Sequence, residues 1–288
     1  MQKNAERAQI IYDVGAHEGD DTGWYLKMGY RVIAVEANPD LVNKLQLKFR
    51  KAVSDGNLQI VPKAVTGTGV SEVEFHVTEE SGEGSVYNKR LLEAGWKFKT
   101  IRVPATSLAA LFSEYGMGLY CKIDIEGADI PVLQTLKQND LLPFYFSVEL
   151  SGLSLSELNG DASSLFTALD IFNQLGYKKF KLIDQYTLAT VSGTPFYSKQ
   201  HNIILRAVKK FCKIVGVYPK NMLPRNWYNK VYKHDFTESS SGPFGEMLLG
   251  KWQTAEQMRQ IIKERFAEFD RHDKIRHHIF WVDLHASM

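Results

Sequence analysis

Cysteine is scarce in this chain: Cys121 and Cys212 stand 91 positions apart, and neither sits in a C-x-x-C spacing. That excludes a disulfide framework and a cysteine-built zinc site, and both thiols are expected to be reduced and structural. Long apolar runs are missing too. None approaches the roughly 18 residues of a membrane span, and the opening MQKNAERAQI carries charge without an apolar signal core, so a cytoplasmic protein is expected. His76, His272, His277, His278 and His285 lack ligand spacing such as H-E-x-x-H and read as structural or solvent-facing. No internal repeat is present. With 44% hydrophobic and 24% charged residues over 288 positions, the composition is that of a globular protein able to bury a core.

The net charge of +2 is a cancellation. Residues 1–198 hold 19 Lys and Arg against 24 Asp and Glu, whereas residues 199–288 hold 16 against 9. The first part is acidic and the second basic. Two regions are therefore expected, a domain over 1–208 and a basic, mostly helical extension over 209–288.

The first region alternates short apolar runs with helix-period segments, as β-α-β units on a parallel sheet do. The fold class expected is a doubly wound, Rossmann-like α/β sheet with helices on both faces. IIYDVG (10–15), RVIAVE (31–36), LQIVPKAV (58–65), LYCKIDI (119–125) and FYFSVEL (144–150) read as strands, with Pro62 marking the end of pairing in the third. VEFHV (73–77) reads as an edge or hairpin strand, and 177–184 with 202–208 as a closing pair. Helices are expected over 20–29, 40–53, 162–176 and about 254–270, the last followed by HHIFWVDL. The polar Gly/Ser stretch within 79–100 reads as a lid or binding loop.

DVGAHEGDD lies where a strand feeds a helix, the place where open α/β sheets bind nucleotides. Its glycines, Gly15 and Gly19, are spaced G-x-x-x-G and do not form the G-x-G-x-x-G of dinucleotide enzymes. Glu18, Asp20 and Asp21 would repel a pyrophosphate, while an ammonium and a sulfonium, both carried by S-adenosylmethionine, suit that acidity. Glu36 closes the second strand 21 residues after Gly15, the spacing at which a carboxylate accepts the two hydroxyls of a ribose.

DVGAHEGDDT, VEANPD and KIDIEGAD, in this order and spacing, resemble the FkbM-type class I methyltransferases that use S-adenosylmethionine. The resemblance covers about residues 10–150, with His17 where the family commonly has Asn. It implies that Asp13, Gly15, His17 and Gly19 surround the methionine part of the cofactor, with Thr22 just inside the helix. It further implies that Glu36 holds the ribose, that Ala37 and Asn38 border the adenine, that Lys63, Ala64 and Val65 lie beside it, and that Ser85 closes over the site.

Asp124 and Glu126 follow the fourth strand and Glu149 ends the fifth, so three carboxylates converge at one sheet edge, with Lys122 alternating to the face of Asp124. Asp124, Glu149 or His201 could take the proton of a hydroxyl acceptor. A second reading has Asp124 and Glu149 hold Mg²⁺, which would acidify that hydroxyl. Asp124 and Glu126 also border the cofactor region.

From Lys199 to Lys233 nine Lys and Arg occur without an acid, interleaved with Phe211, Tyr218, Trp227, Tyr228 and Tyr232. This segment suits a phosphorylated or lipid-linked acceptor, or peripheral contact with an inner membrane surface. Nucleic acid is disfavoured, because D-I-E-G offers no apolar clamp for a flipped base. The leading expectation is an O-methyltransferase acting on a sugar, glycan or secondary-metabolite hydroxyl, as in polysaccharide biosynthesis. The alternatives are an NAD(P)-type oxidoreductase and a non-catalytic carbohydrate- or membrane-docking module with a vestigial cofactor site.

Overall fold

A nearly continuous apolar run fits a strand covered on both faces, and β1 (Ile10–Val14), IIYDV, is such a run, with all of its residues buried, Asp13 included. The computed structural model describes residues 10–79, 84–87, 92, 95–138, 141–153, 163–191, 224–237, 240–271 and 280–288. In it β1 pairs in parallel with β2 (Arg31–Val35) and β8 (Tyr120–Ile123), β2 with β3 (Leu58–Val61), and β8 with β9 (Tyr145–Leu153). The doubly wound sheet expected from the sequence is present.

Pro62 ends pairing in the third strand, as expected of a residue without an N–H. The chain then leaves this sheet. β4 (Ala64–Val65) joins β7 (Phe98–Thr106), β5 (Glu72–Thr78) and β6 (Gly84–Ser85) in a second sheet of order β4-β7-β5-β6. β5, expected as an edge or hairpin strand, pairs antiparallel with both β7 and β6 and so is not at an edge.

The helices over the described residues are α1 (Asp20–Lys27), α2 (Pro39–Lys48), α3 (Arg50–Ser54), α4 (Leu108–Tyr115), α5 (Asp129–Gln134), α6 (Ser163–Gln174), α7 (Pro224–Tyr232) and α8 (Ala255–Arg271). Asn38 caps α2 by accepting from the Asp40 N–H at 3.0 Å, and Pro39 fills the first turn, where no N–H is needed. The single helix expected over 40–53 is interrupted at Phe49, which turns out of helical geometry at φ −112°. The Phe49 ring lies so near Gly19 that a Cβ there would meet it at 2.6 Å.

The end of the chain corrects the expected division at residue 208. β12 (Phe280–Ser287) lies between β9 and β10 (Lys179–Asp184), antiparallel to both, and β11 (Ala189–Thr190) borders β10. The partner expected for 177–184, residues 202–208, lies outside the described residues, and β12 takes that place. Met258 and Ile262 of α8 share a core with Leu165, Leu169 and Phe172 of α6. Phe236, Phe244 and Leu248 pack with Trp24, Tyr25 and Tyr120, and the Phe244 ring stacks on Tyr120 at 4.2 Å. These C-terminal residues, although basic in average composition, complete the sheet and its hydrophobic cover.

Candidate active site

The carboxyl ends of β1, β2, β8 and β9 and the amino end of the reversed β12 meet at one edge of the sheet. A pocket of about 1020 Å³, counted out to its open mouth, lies there. Gly15, Ala16, His17, Glu36, Ala37 and Ala64 line one part of it, and Lys122, Asp124, Glu126, Glu149 and Trp281 another. Lys63 and Val65 are also in the lining.

Gly15 is required where the two parts join. It sits at φ +85°, and a Cβ would stand 1.7 Å from the Asp124 carbonyl oxygen. The β1 and β8 turns are thus in backbone contact. His17, also in the left-handed region at φ 48°, aims its N–H at Glu36 Oε2, 2.8 Å away. The Asn38 N–H donates to Glu36 Oε1, also at 2.8 Å. Burial raises the Glu36 pKa and these N–H donors oppose the rise. Each oxygen keeps lone pairs for further donors.

Behind the second part sits a buried ammonium. Lys122 Nζ is 3.0 Å from Asp21 Oδ2, 3.2 Å from Asp124 Oδ2 and 3.9 Å from Asp13 Oδ1. Burial works against its charge, but Asp21, Asp124, Asp13 and Glu149 outweigh that and hold its pKa well above the ordinary lysine value. Asp13 accepts from the Thr22 hydroxyl at 2.6 Å, and burial foremost, with Asp21 and Asp124 adding, lifts its pKa to about 6.

Asp124, Glu126 and Glu149 bring carboxylate oxygens within 4.8 Å of one another. Burial, then Asp124, pushes the Glu149 pKa well above the usual carboxylate range. Its Oε1 accepts from Trp281 Nε1 at 2.6 Å. Asp283, opposite Glu149 across the β9–β12 pair, is raised to about 8, chiefly by burial, with Lys122 opposing. A second pocket, of about 440 Å³, lies against the same acids and is also lined by Asp129, Ile130 and Ser164.

Several expected site residues act from behind the wall instead of in it. Asp13, Gly19, Thr22, Asn38 and Ser85 are not in the pocket lining. Thr22 is spent on Asp13, and the Asn38 side chain caps α2. The Ser85 hydroxyl donates to the Glu126 carbonyl at 2.7 Å, tying β6 to the turn after β8. The acidity expected to attract a cation is largely matched already: Glu18 pairs with Lys44 at 2.9 Å, Asp20 with Lys48 at 3.4 Å, and Asp21 with Lys122. Asp21 also accepts from the Ser241 N–H at 3.0 Å and Asp20 from the Thr237 hydroxyl at 2.7 Å. His201 lies outside the described residues, as do His272, His277, His278, Cys212 and most of the basic run. His76 bonds Thr100, His285 is buried, and Cys121 is a buried free thiol.

Sequence reasoning missed Asp129, Asp283 and Trp281. Asp129 accepts from the Ile125 N–H at 3.2 Å and the Gly127 N–H at 3.0 Å, which holds Glu126 in its left-handed conformation at φ 55°. The D-I-E-G-A-D spacing carried a signal for it. Asp283 and Trp281 gave none, because only strand insertion brings them to Glu149.

A family profile, the methyltransferase FkbM domain, matches residues 13–179. No curated protein matches the chain in sequence. Similar solved structures include an S-adenosylmethionine-dependent methyltransferase from Geobacter sulfurreducens in complex with S-adenosyl-L-homocysteine, at 10% identity and TM-score 0.37, covering 99% of this chain and 88% of that one. Another is a precorrin-6y C5,15-methyltransferase from Geobacter metallireducens, at 10% identity and TM-score 0.35, covering 62% of this chain and 70% of that one. The profile spans more than half of the chain, and the chain belongs to the FkbM family of class I, S-adenosylmethionine-dependent methyltransferases.

Proposed function

We propose that the protein transfers a methyl group from S-adenosylmethionine to a hydroxyl of a sugar, glycan or secondary-metabolite acceptor. The observation that carries this reading is the close grouping of Asp124, Glu126 and Glu149 in the same pocket as Gly15 and Glu36. Glu36 holds the ribose diol through the lone pairs its backbone donors leave free. His17, Gly15 and Asp124 border the methionine part, with Ala37, Lys63, Ala64 and Val65 toward the adenine. Bound there, S-adenosylmethionine supplies an electrophilic methyl on a sulfonium.

The chain's own residues hold the acceptor oxygen in line and take its proton. Asp124 receives that proton as the oxygen–carbon bond forms and the carbon–sulfur bond breaks, its electron pair passing to sulfur. Lys122 fixes the orientation of Asp124, and the Trp281 indole N–H that of Glu149. A divalent cation on Asp124, Glu126 and Glu149 is a second reading, favoured by three oxygen ligands within 4.8 Å. Against it, the Lys122 ammonium already neutralises Asp124, and Trp281 occupies one Glu149 oxygen. Contact of the basic C-terminal segment with a membrane surface or a phosphorylated acceptor belongs to the same proposal. Exposed Trp227, Lys230 and Val231 on α7 support it.

The test is methyl transfer from labelled S-adenosylmethionine to sugar nucleotides, lipid-linked glycans and phenols, with primary amines alongside and products read by mass. O-methyl products are expected, and methylation of amines alone overturns the hydroxyl reading. Asp124→Asn should lower kcat on the order of 10²- to 10⁴-fold. Activity that survives EDTA removes the metal.

A further inference from the structure

Glu126 stands in the left-handed region at φ 55°, and Gly127 follows at φ 102°. Glycine adopts such a backbone without steric cost, whereas a residue with a Cβ is strained there, and the strain persists only where surrounding bonds enforce it. Three bonds do so here. The buried Asp129 carboxylate accepts from the N–H groups of both residues flanking Glu126, Ile125 at 3.2 Å and Gly127 at 3.0 Å. The buried Ser85 hydroxyl donates to the Glu126 carbonyl at 2.7 Å. The Tyr87 N–H donates to the same Ser85 Oγ at 3.0 Å, which leaves the hydroxyl hydrogen for that carbonyl.

The bonds reach the turn from two sides. Asp129 opens α5, directly after the turn, whereas Ser85 lies in β6 of the second sheet. Gly84 and Val86, on either side of Ser85, line the cofactor pocket. A Cβ on Gly84 would stand 2.3 Å from the Phe75 ring, so β6 is seated directly on that ring. The turn is therefore clamped between the two sheets.

What the strain maintains is the place of a carboxylate. Glu126 lines the pocket together with Gly15 and Asp124, and a Cβ on Gly15 would come within 3.4 Å of Ile125 Cγ2. The segment carrying Glu126 thus abuts the turn beside which the methionine part of the cofactor is proposed to lie. That part carries an ammonium, and a charge taken into a pocket needs a counter-charge. Of the three acids grouped there, Glu126 is the one whose backbone is strained. A carboxylate offers about four acceptor positions, so Glu126 can take an ammonium in addition to its bonds within the protein. We infer that Glu126 binds the ammonium of the cofactor's methionine, and that Asp129 and Ser85 are positioning residues that hold it in the strained conformation this requires. This rests on the proposed placement of the methionine part beside Gly15 and Asp124.

The test is calorimetry on the full chain with S-adenosylhomocysteine and with its deaminated analogue, which keeps the adenosine, sulfur and carboxylate and lacks the ammonium. The parent should bind the analogue on the order of tenfold more weakly. Glu126→Gln keeps the backbone demand and removes the charge, so it should weaken S-adenosylhomocysteine by about the same factor and leave the analogue nearly unaffected. Ser85→Ala and Asp129→Ala should show the same selective loss, and neither should weaken S-adenosylhomocysteine further in the Glu126→Gln background. Glu126→Gly keeps the test open if a positioning variant fails to fold. Its melting temperature should rise, because the left-handed backbone is then unstrained, while S-adenosylhomocysteine binding falls. Equal affinity of the parent for the two ligands, or equal losses for both in Glu126→Gln, overturns the ammonium contact. A melting temperature of Glu126→Gly below that of the parent overturns the strain. In each of these cases S-adenosylhomocysteine still binds the parent and the methyl-transfer reading stands, whereas binding of neither ligand to the parent overturns both.

Discussion

Lys122 Nζ lies 3.0 Å from Asp21 Oδ2, inside the molecule, and the same carboxylate accepts from the Ser241 N–H. One ion pair thus joins the central strand β8, the first helix α1 and the C-terminal loop. Removing only the cation leaves Asp21, Asp124 and Asp13 buried without their counter-charge. Lys122→Met should therefore lower stability by about 3–5 kcal/mol. Urea unfolding measures this, and a loss under about 1 kcal/mol would show that the pair is not structural.

Glu36 offers the cofactor a carboxylate already held by two N–H donors. Glu36→Ala should weaken S-adenosylhomocysteine binding tenfold or more, since a hydrogen bond to a charged group contributes about 1.5–3 kcal/mol. Unchanged affinity by calorimetry would remove Glu36 from the ribose site.

Gly15→Ala would force a left-handed backbone on a residue with a Cβ and drive that Cβ into the Asp124 carbonyl. Strain of this kind costs on the order of 1–3 kcal/mol before any overlap is counted. A lower melting temperature together with lost cofactor binding is the expected pair of results. Parent-like behaviour in both would contradict the close approach of the two turns.

Burial, then Asp124, raises the Asp129 pKa from 3.8 to about 7. The folded state therefore keeps a proton that the unfolded chain releases, so this contribution is complete below about pH 4 and is lost as pH rises through 7. Asp129→Asn cannot titrate. Its unfolding free energy should fall less steeply between pH 4 and 8 than that of the parent, and equal slopes would refute the assignment.

Truncation before Phe280 would leave β9 and β10 without the strand between them. The shortened chain should fail to fold, seen as loss of near-ultraviolet circular dichroism. A folded, cofactor-binding product would instead restore the division at residue 208.

The sequence by itself determined the strands β1, β2, β3, β8 and β9, the turn at Gly15, the carboxylate at Glu36, and the acids after β8 and β9. Each of these is written locally, in the period of apolar residues or in a spacing between neighbouring elements. Only the tertiary structure decided what surrounds them. Lys122 became a buried cation because Asp13, Asp21 and Asp124 converge on it from separate segments. Glu18, Asp20 and Asp21, which read as an acidic lure for a cation, proved to be paired with lysines or bound to the C-terminal loop. Trp281 and Asp283 reached Glu149 because a strand more than 120 residues later inserts between β9 and β10. That insertion is a long-range pairing, and it left no local pattern in the chain by which its partner strand could be read.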